Sequence, residues 1–179
     1  ATLPLGSPVF SDPLLFNNIF WDNRAGSWTG GGVAGIGLQG DPNPVNYWDL
    51  GVSDGTGVLS PTNSLMQVDT GTIPDPSNQV GADPTVVSTY DTSIAVLPWR
   101  GNPRFVDALL VAVDVPADQM GDYHLLLTSP AVNLGAASKS GVNAPTLDID
   151  GQARPTSGGF EAGADEVAGT VADGFPSSG

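Results

Sequence analysis

The chain has 179 residues, a length that suits one domain around a single continuous core. Its 19 acidic and 5 basic residues give a formal net charge of −14, so a nucleic-acid backbone or an anionic membrane surface would repel it. The absence of cysteine excludes disulfides and thiolate metal sites, and no stretch approaches the roughly 18 apolar residues of a membrane-spanning helix.

The composition favours strands and turns over helices. Hydrophobic residues make up 40% of the chain and charged residues only 13%, so the polar surface is built mainly of Gly, Ser, Thr, Asn and Asp. We therefore predict an all-β fold. The acidic residues are spread along the chain, which favours a role in solubility outside a cell over a role in cation binding.

Strand-like runs separated by turn-forming residues follow one another from the N-terminus. The first covers residues 14–21 and is interrupted by Asn17 and Asn18, where we expect a sharp bend because Asn tolerates the left-handed conformation. Further runs lie at residues 33–38, 47–52, 64–68, 93–99 and 108–115. The Gly-rich and Pro-rich connections between them are long for hairpins.

Residues 108–115 form a nearly continuous apolar run, Ala-Leu-Leu-Val-Ala-Val-Asp-Val. Such a strand is typical of parallel sheets, which are covered on both faces, whereas a hairpin meander would alternate more cleanly. The sequence therefore predicts parallel coils, with a β-sandwich as the alternative because no strict internal period is visible. We predict one domain over residues 1–166 and a loose tail over 167–179.

Four phrases in the sequence carry a family resemblance: Asn-Asn-Ile-Phe-Trp-Asp-Asn at 17–23, Asn-Pro-Arg-Phe-Val-Asp at 102–107, the segment 121–135, and the segment 148–166. In that order they resemble the closing coils of pectate-lyase-like right-handed parallel β-helix proteins of bacterial surfaces, including those called choice-of-anchor proteins. The resemblance covers about residues 14 to 166. It implies the C-terminal end of a longer β-helix solenoid with long Gly/Pro-rich loops, at the cell surface or outside the cell.

The same resemblance implies a structural, adhesive or assembly module, such as a fibre or surface-layer component. The alternative is a fragment of a polysaccharide lyase, a glycoside hydrolase or a glycan-binding protein. Lyases of this type use calcium-binding acids with an Arg or Lys base, and hydrolases use paired carboxylates. We assign no catalytic residue, because no basic residue lies in a recognisable acid cluster and the match covers closing coils rather than the middle coils that hold the groove in the resembled enzymes.

Two tryptophans are candidate glycan-binding residues. Trp28 and Trp48 lie beside Gly-rich and Pro-rich loops, where an exposed indole could stack on a sugar ring. A place in the core is the alternative for any Trp in a chain of this size. Polysaccharide is accordingly one candidate partner.

Asp148 and Asp150 surround Ile149 and precede Gly151, a phrase that suits a tight turn with carboxylates capping backbone N–H groups. The alternative is a calcium site, although the further spaced ligands of an EF-hand are absent. Arg154 is available to pair with one of these acids or with Glu161. The sequence requires no cofactor, and calcium is the one ion it suggests.

His124 is the only histidine, which excludes a multi-histidine metal site. We interpret it as a surface or strand-edge residue of the segment 121–127, in which Tyr123 and Leu125 are expected to share one face.

A β-helix that lacks its early coils would expose an unpaired N-terminal end. We therefore expect a protein partner or a second copy to dock there, or a longer precursor to precede Ala1. The first ten residues lack the features of a signal peptide, so an export signal would have been removed or would lie on that precursor.

Overall fold

A computed structural model describes residues 6, 10–29, 33–37, 41, 43–52, 55–89, 121–156 and 158–167. Nine short strands occur within these ranges: β1 (Ile19–Phe20), β2 (Ser27–Trp28), β3 (Val33–Ala34), β4 (Leu65–Met66), β5 (Gln79–Val80), β6 (Val86–Ser88), β7 (Asp122–Leu125), β8 (Ser138–Lys139) and β9 (Val142–Asn143). The described residues contain no helix, which confirms the predicted all-β class. They therefore include no helix that could cross a bilayer. The predicted strands at 93–99 and 108–115 lie outside the described residues.

Three strands form a parallel sheet in the order β1-β4-β5. Leu65 pairs with Ile19 on one side and with Gln79 on the other, and parallel bridges Phe16–Thr62 and Leu59–Thr72 extend the same arrangement. We call residues 16–20, 59–66 and 72–80 the first, second and third coils. The chain therefore passes three times through one sheet in the same direction.

Polar side chains fix the register between the coils. Asn17 and Asn63 precede β1 and β4 and have φ angles of 57° and 48°, so the predicted bend is confirmed and recurs in the second coil. The Ser64 Oγ accepts a hydrogen bond from the Asn18 N–H at 3.1 Å, and the Asn78 Oδ1 accepts one from the Ser64 N–H at 3.0 Å. These five residues are called the Asn/Ser ladder below: Asn17, Asn18, Asn63, Ser64 and Asn78.

The ladder reveals a repeat that the sequence analysis missed. Asn-Asn-Ile-Phe at 17–20, Asn-Ser-Leu-Met at 63–66 and Ser-Asn-Gln-Val at 77–80 occupy equivalent positions in the three coils. Because the loops between them differ greatly in length, the repeat has no fixed period.

C-terminal segments cover the β1 side of the sheet. The Asn17 carbonyl accepts a hydrogen bond from the Gly163 N–H at 2.9 Å, and the Asn17 side chain exchanges two hydrogen bonds of 2.7 Å with the Ala136 backbone. Close approach at this end requires Gly135, where an added Cβ would lie 2.6 Å from the Glu161 carbonyl oxygen. These contacts cover the Asn17 end of the first coil, while no described strand pairs with the outer edge of β1 or of β5. An open N-terminal end that binds a partner stays a prediction.

Lys139, on β8, joins the first two coils. Its Nζ donates to the Leu15 carbonyl at 3.0 Å and to the Ser60 carbonyl at 2.7 Å. The ammonium group therefore ties the chain immediately before the first coil to the start of the second.

The core lies between the parallel sheet and the C-terminal segments. Leu65 and Met66 are completely buried, and Leu65 belongs to a cluster that also contains the following residues: Leu125, Ala131, Ala162 and Val167, with Ile19, Trp21, Val86, Val132 and Leu134 packed around it. Val167, the first residue of the predicted tail, is therefore part of the core. Residues 168–179 lie outside the described part of the chain.

The remaining strands form three antiparallel pairs, β2-β3, β6-β7 and β8-β9. In β7, Leu125 is 5% exposed but Tyr123 is 58% exposed, so the two side chains differ in burial although an unbroken strand would place them on one face. The pairing of β6 with β7 shifts register between Val86 and Ser88, and such an irregularity re-aims side chains along a strand.

Candidate functional site

A cavity of about 1280 Å³ lies where the first coil, β7, the turn at 148–151 and the C-terminal segment meet. Its wall combines apolar and aromatic groups with several carboxylates. The residues used below are Trp21, Asp122, Tyr123, His124, Asp148 and Asp165. We take this cavity as the candidate site, because a concave wall of apolar groups with several convergent polar side chains is typical of ligand sites.

His124 lies on β7 between two carboxylates. Its Nδ1 is 2.5 Å from the Asp122 Oδ1, and its Nε2 is 2.7 Å from the Asp150 Oδ2. Hydrogen bonds to Asp122 and then Asp150 raise the pKa of His124 to about 9, against the opposing effect of burial. The imidazole is therefore a cation at neutral pH in the absence of a competing ion.

The turn at 148–151 presents Asp150 to the histidine. The Asp148 Oδ1 accepts hydrogen bonds from the Asp150 N–H at 2.9 Å and the Gln152 N–H at 2.7 Å, and Gly151 has a φ of 81° that suits it to the turn. The predicted capping role of Asp148 is thus confirmed for one oxygen. The other, Oδ2, is buried and has no hydrogen-bond partner.

Asp165 adds a third carboxylate from the C-terminal segment. It is 5% exposed, and its Oδ2 accepts a hydrogen bond from the Leu125 N–H at 2.7 Å. Burial raises the pKa of Asp165, although the Leu125 N–H opposes this change. One ligand atom from each of His124, Asp150 and Asp165 lies within 4.8 Å of the other two.

The structure brings together only part of what the sequence singled out. Asp148 and Asp150 share a turn as predicted. His124, predicted as a surface or strand-edge residue, lies on β7 and is half-buried between two carboxylates. Asp165 was not identified. The only local signal was the two-residue spacing of Asp122 and His124, which puts both side chains on one face of a strand.

Trp48 does not line this cavity. The Trp48 side chain is 41% exposed, and its Nε1 donates to the Leu50 carbonyl at 2.8 Å. Trp28 lies in β2, and its side chain falls outside what the structure describes. Glycan binding by these two residues stays a prediction.

A second ionisable cluster is buried around Arg154, which itself lines the cavity. The Arg154 Nε is 2.8 Å from the Glu166 Oε2, and its other nitrogens donate to the Glu161 and Gly163 carbonyls at 2.8 and 3.1 Å. Arg154 therefore pairs with Glu166 rather than with the carboxylates expected from the sequence. Burial and the adjacent Glu166 carboxylate raise the pKa of Glu161 to about 8.

Similarity to known proteins adds no further constraint on the site. The sequence matches no protein-family model, and no curated protein and no solved structure is significantly similar to it. The contacts described above are therefore the basis for assigning a function.

Proposed function

We propose that the chain is an extracellular, non-catalytic structural module, built as part of a right-handed parallel β-helix, that adheres to or assembles with another protein surface. The observation that carries this proposal is the stacking of three parallel coils through the Asn/Ser ladder. Stacked coils joined by polar ladders are the building principle of solenoid proteins. The high negative charge suits a soluble protein outside a cell.

The third coil supplies the contact surface in this proposal. Gln79 and Val80 of β5 are exposed, as is Ile73 on the same coil, so apolar side chains lie beside an edge that no described strand covers. An uncovered edge is a template for pairing with another chain. We infer that a second copy docks there, because it offers the same exposed apolar edge for a symmetric pairing.

Size-exclusion chromatography with light scattering tests this contact. We expect the mass to rise above that of a monomer with increasing protein concentration. Val80→Lys should restore the monomer, because a lysine on an edge strand disfavours edge-to-edge pairing. Val87→Lys, an exposed apolar residue on β6, is the matched control and should leave assembly unchanged. A wild-type monomer at every concentration would rule out assembly through this edge.

Glycan binding is the second candidate, favoured by the aromatic and acidic lining of the cavity. Trp21 and the exposed Tyr123 lie in the same cavity wall as Asp122, a combination suited to stacking on a sugar ring and bonding its hydroxyls. Tyr123→Ala should weaken retention on a polysaccharide affinity gel by about fivefold, as expected for loss of one stacking contact of about 1 kcal/mol. Trp48→Ala changes an exposed tryptophan outside the cavity, so a loss of retention in this variant would indicate glycan binding at Trp48 instead. Equal retention of all three proteins would exclude both sites.

A further inference from the structure

We propose that His124, Asp150 and Asp165 form a binding site for a divalent transition-metal ion of the Zn²⁺ type. The site would join three segments that are distant in sequence: β7, the turn at 148–151 and the C-terminal segment. The inference is independent of assembly through β5, which lies on a different part of the molecule.

The donor atoms have the spacing that such an ion needs. Bonds of about 2.0–2.1 Å to a tetrahedral ion place ligand atoms about 3.3 Å apart. The Nε2 of His124 and the Oδ2 of Asp150 are 2.7 Å apart, and all three donors lie within 4.8 Å of one another. Reaching this spacing would require the His124–Asp150 pair to separate by about 0.6 Å and any pair at the 4.8 Å limit to approach by about 1.5 Å. Exposed Asp150 can move most readily, because its side chain is the least buried of the three.

His124 has the hydrogen bond that orients a metal-bound imidazole. Its Nδ1 donates to Asp122, which directs the Nε2 towards Asp150. Histidines that bind metals almost always donate the other ring N–H to a carboxylate or carbonyl group. Metal binding releases the Nε2 proton to solvent, and the nitrogen lone pair then bonds to the ion.

An independent observation is the unpartnered oxygen of Asp148. Its Oδ2 is buried without a hydrogen-bond partner, and it lines the same cavity as His124 and Asp165. A buried carboxylate oxygen without a partner is costly. Asp148 is not among the residues whose ligand atoms lie within 4.8 Å of one another, so a cation bound to the other three would satisfy this oxygen through a bound water. The excess of carboxylates over the single histidine favours a divalent charge.

The imidazole ligand indicates a transition-metal ion rather than Ca²⁺ or Mg²⁺. Ca²⁺ and Mg²⁺ take oxygen ligands, whereas an imidazole nitrogen with carboxylates suits Zn²⁺ and its transition-metal neighbours. In a chain without cysteine, such an ion would link segments that no disulfide can join. We assign it a structural role.

Histidine-selective NMR of the wild-type protein, purified with a chelator, tests the site directly. Since His124 is the only histidine, one imidazole reports the result. One equivalent of Zn²⁺ should shift the Nε2 resonance strongly while Nδ1 keeps its proton, and calorimetry should give a 1:1 stoichiometry. An Nε2 resonance that does not move at saturating Zn²⁺ would overturn the proposal.

Variants distinguish this site from adventitious binding. Asp122→Asn should weaken Zn²⁺ binding 10- to 100-fold, as is typical when a metal-bound histidine loses its carboxylate partner. Asp165→Asn should weaken it more, and Asp69→Asn, an exposed acid elsewhere, should have no effect. Zn²⁺ should also raise the thermal midpoint of the wild type more than Ca²⁺ does. Equal affinity for Ca²⁺ and Zn²⁺, or equal Zn²⁺ affinity in all variants, would contradict the assignment.

Discussion

Glu161 and Glu166 form a carboxyl pair that is almost completely removed from water, next to the guanidinium of Arg154. One positive charge cannot compensate two buried negative charges, so folding favours a proton on Glu161. The Glu161 Oε2 is buried and has no hydrogen-bond partner, which adds to the cost of ionising this residue. The pair therefore links the stability of the fold to pH.

The folded protein should lose stability as the pH rises. Glu161 is protonated in the folded state up to a pKa of about 8 but ionises near 4.5 when unfolded, so the folded state binds the extra proton between these values. Glu161 alone should lower the free energy of unfolding across this window by up to about 1.4 kcal/mol per pH unit, and the raised pKa of His124 adds to the fall above about pH 6.5. Urea unfolding between pH 5 and 8 measures this slope.

The variant Glu161→Gln isolates the contribution of this residue. It should flatten the slope because the amide does not titrate, whereas Asp69→Asn, at an exposed position, should keep the wild-type slope. An unchanged slope in Glu161→Gln would show that other groups govern the pH dependence.

The Asn/Ser ladder shows how short strands are held in a sheet. β1, β4 and β5 have two residues each, too few for backbone pairing alone to set the register. Side-chain hydrogen bonds at the bends add the missing specificity, because each bond crosses from one coil to the next. The polar bends, rather than strand length, therefore define this element.

Asn63 should be the most sensitive bend. Asn63→Ala removes the hydrogen bond from its Nδ2 to the Leu134 carbonyl at 3.2 Å and strains a φ of 48°, for a combined cost of about 2–3 kcal/mol. Asn63→Gly keeps the backbone conformation and should recover about 1 kcal/mol of that loss. Chemical denaturation measures both, with Asn143→Ala on exposed β9 as the control. Equal losses of stability in Asn63→Ala and Asn63→Gly would show that backbone strain does not contribute to the cost of the alanine variant.

Gly135 lies where two C-terminal segments of the chain pack closely against each other, next to the first coil. Gly135→Ala would place a Cβ 2.6 Å from the Glu161 carbonyl oxygen, and that backbone cannot move without disturbing β1. We expect a loss of about 1–3 kcal/mol, as for overpacking elsewhere. Gly141→Ala meets no atom within 4 Å and should show only the cost of its positive φ. A thermal melt in which Gly135→Ala is no worse than Gly141→Ala would contradict this packing.

The elements could be predicted from the sequence only where the signal is local. The bend at Asn17 followed from residue type, and so did the turn capped by Asp148. The pairing of Leu65 with Ile19 could not be predicted, because it joins residues separated by a loop of arbitrary length. The same limit hid the contact of His124 with Asp150 and Asp165, which only the folded chain brings within reach.

At the scale of the whole molecule, charge opposes compactness. The formal charge of −14 is confined to a small chain with only five basic residues, and two of these, Arg24 and Arg154, are already paired with acids. Self-repulsion among the remaining carboxylates favours expansion.

Salt should therefore stabilise the protein. Raising NaCl from 0.01 to 1 M shortens the Debye length from about 30 Å to about 3 Å, which screens this repulsion. We expect a higher thermal midpoint, with about 2–4 °C for each kcal/mol gained. The gain should shrink at acid pH, where most carboxyl groups are neutral. A fall in the midpoint with salt at neutral pH would show that attractive ion pairs dominate instead.

Lys139 gives the molecule a chemical reporter of its own folding. It is the only lysine in the chain, and its amine is held by carbonyl groups at the starts of two coils. A protonated amine engaged in this way reacts slowly with acylating reagents, and it becomes reactive when the two coils separate. The rate of side-chain acylation, followed by mass spectrometry, would therefore record the opening of this part of the stack without any engineered label.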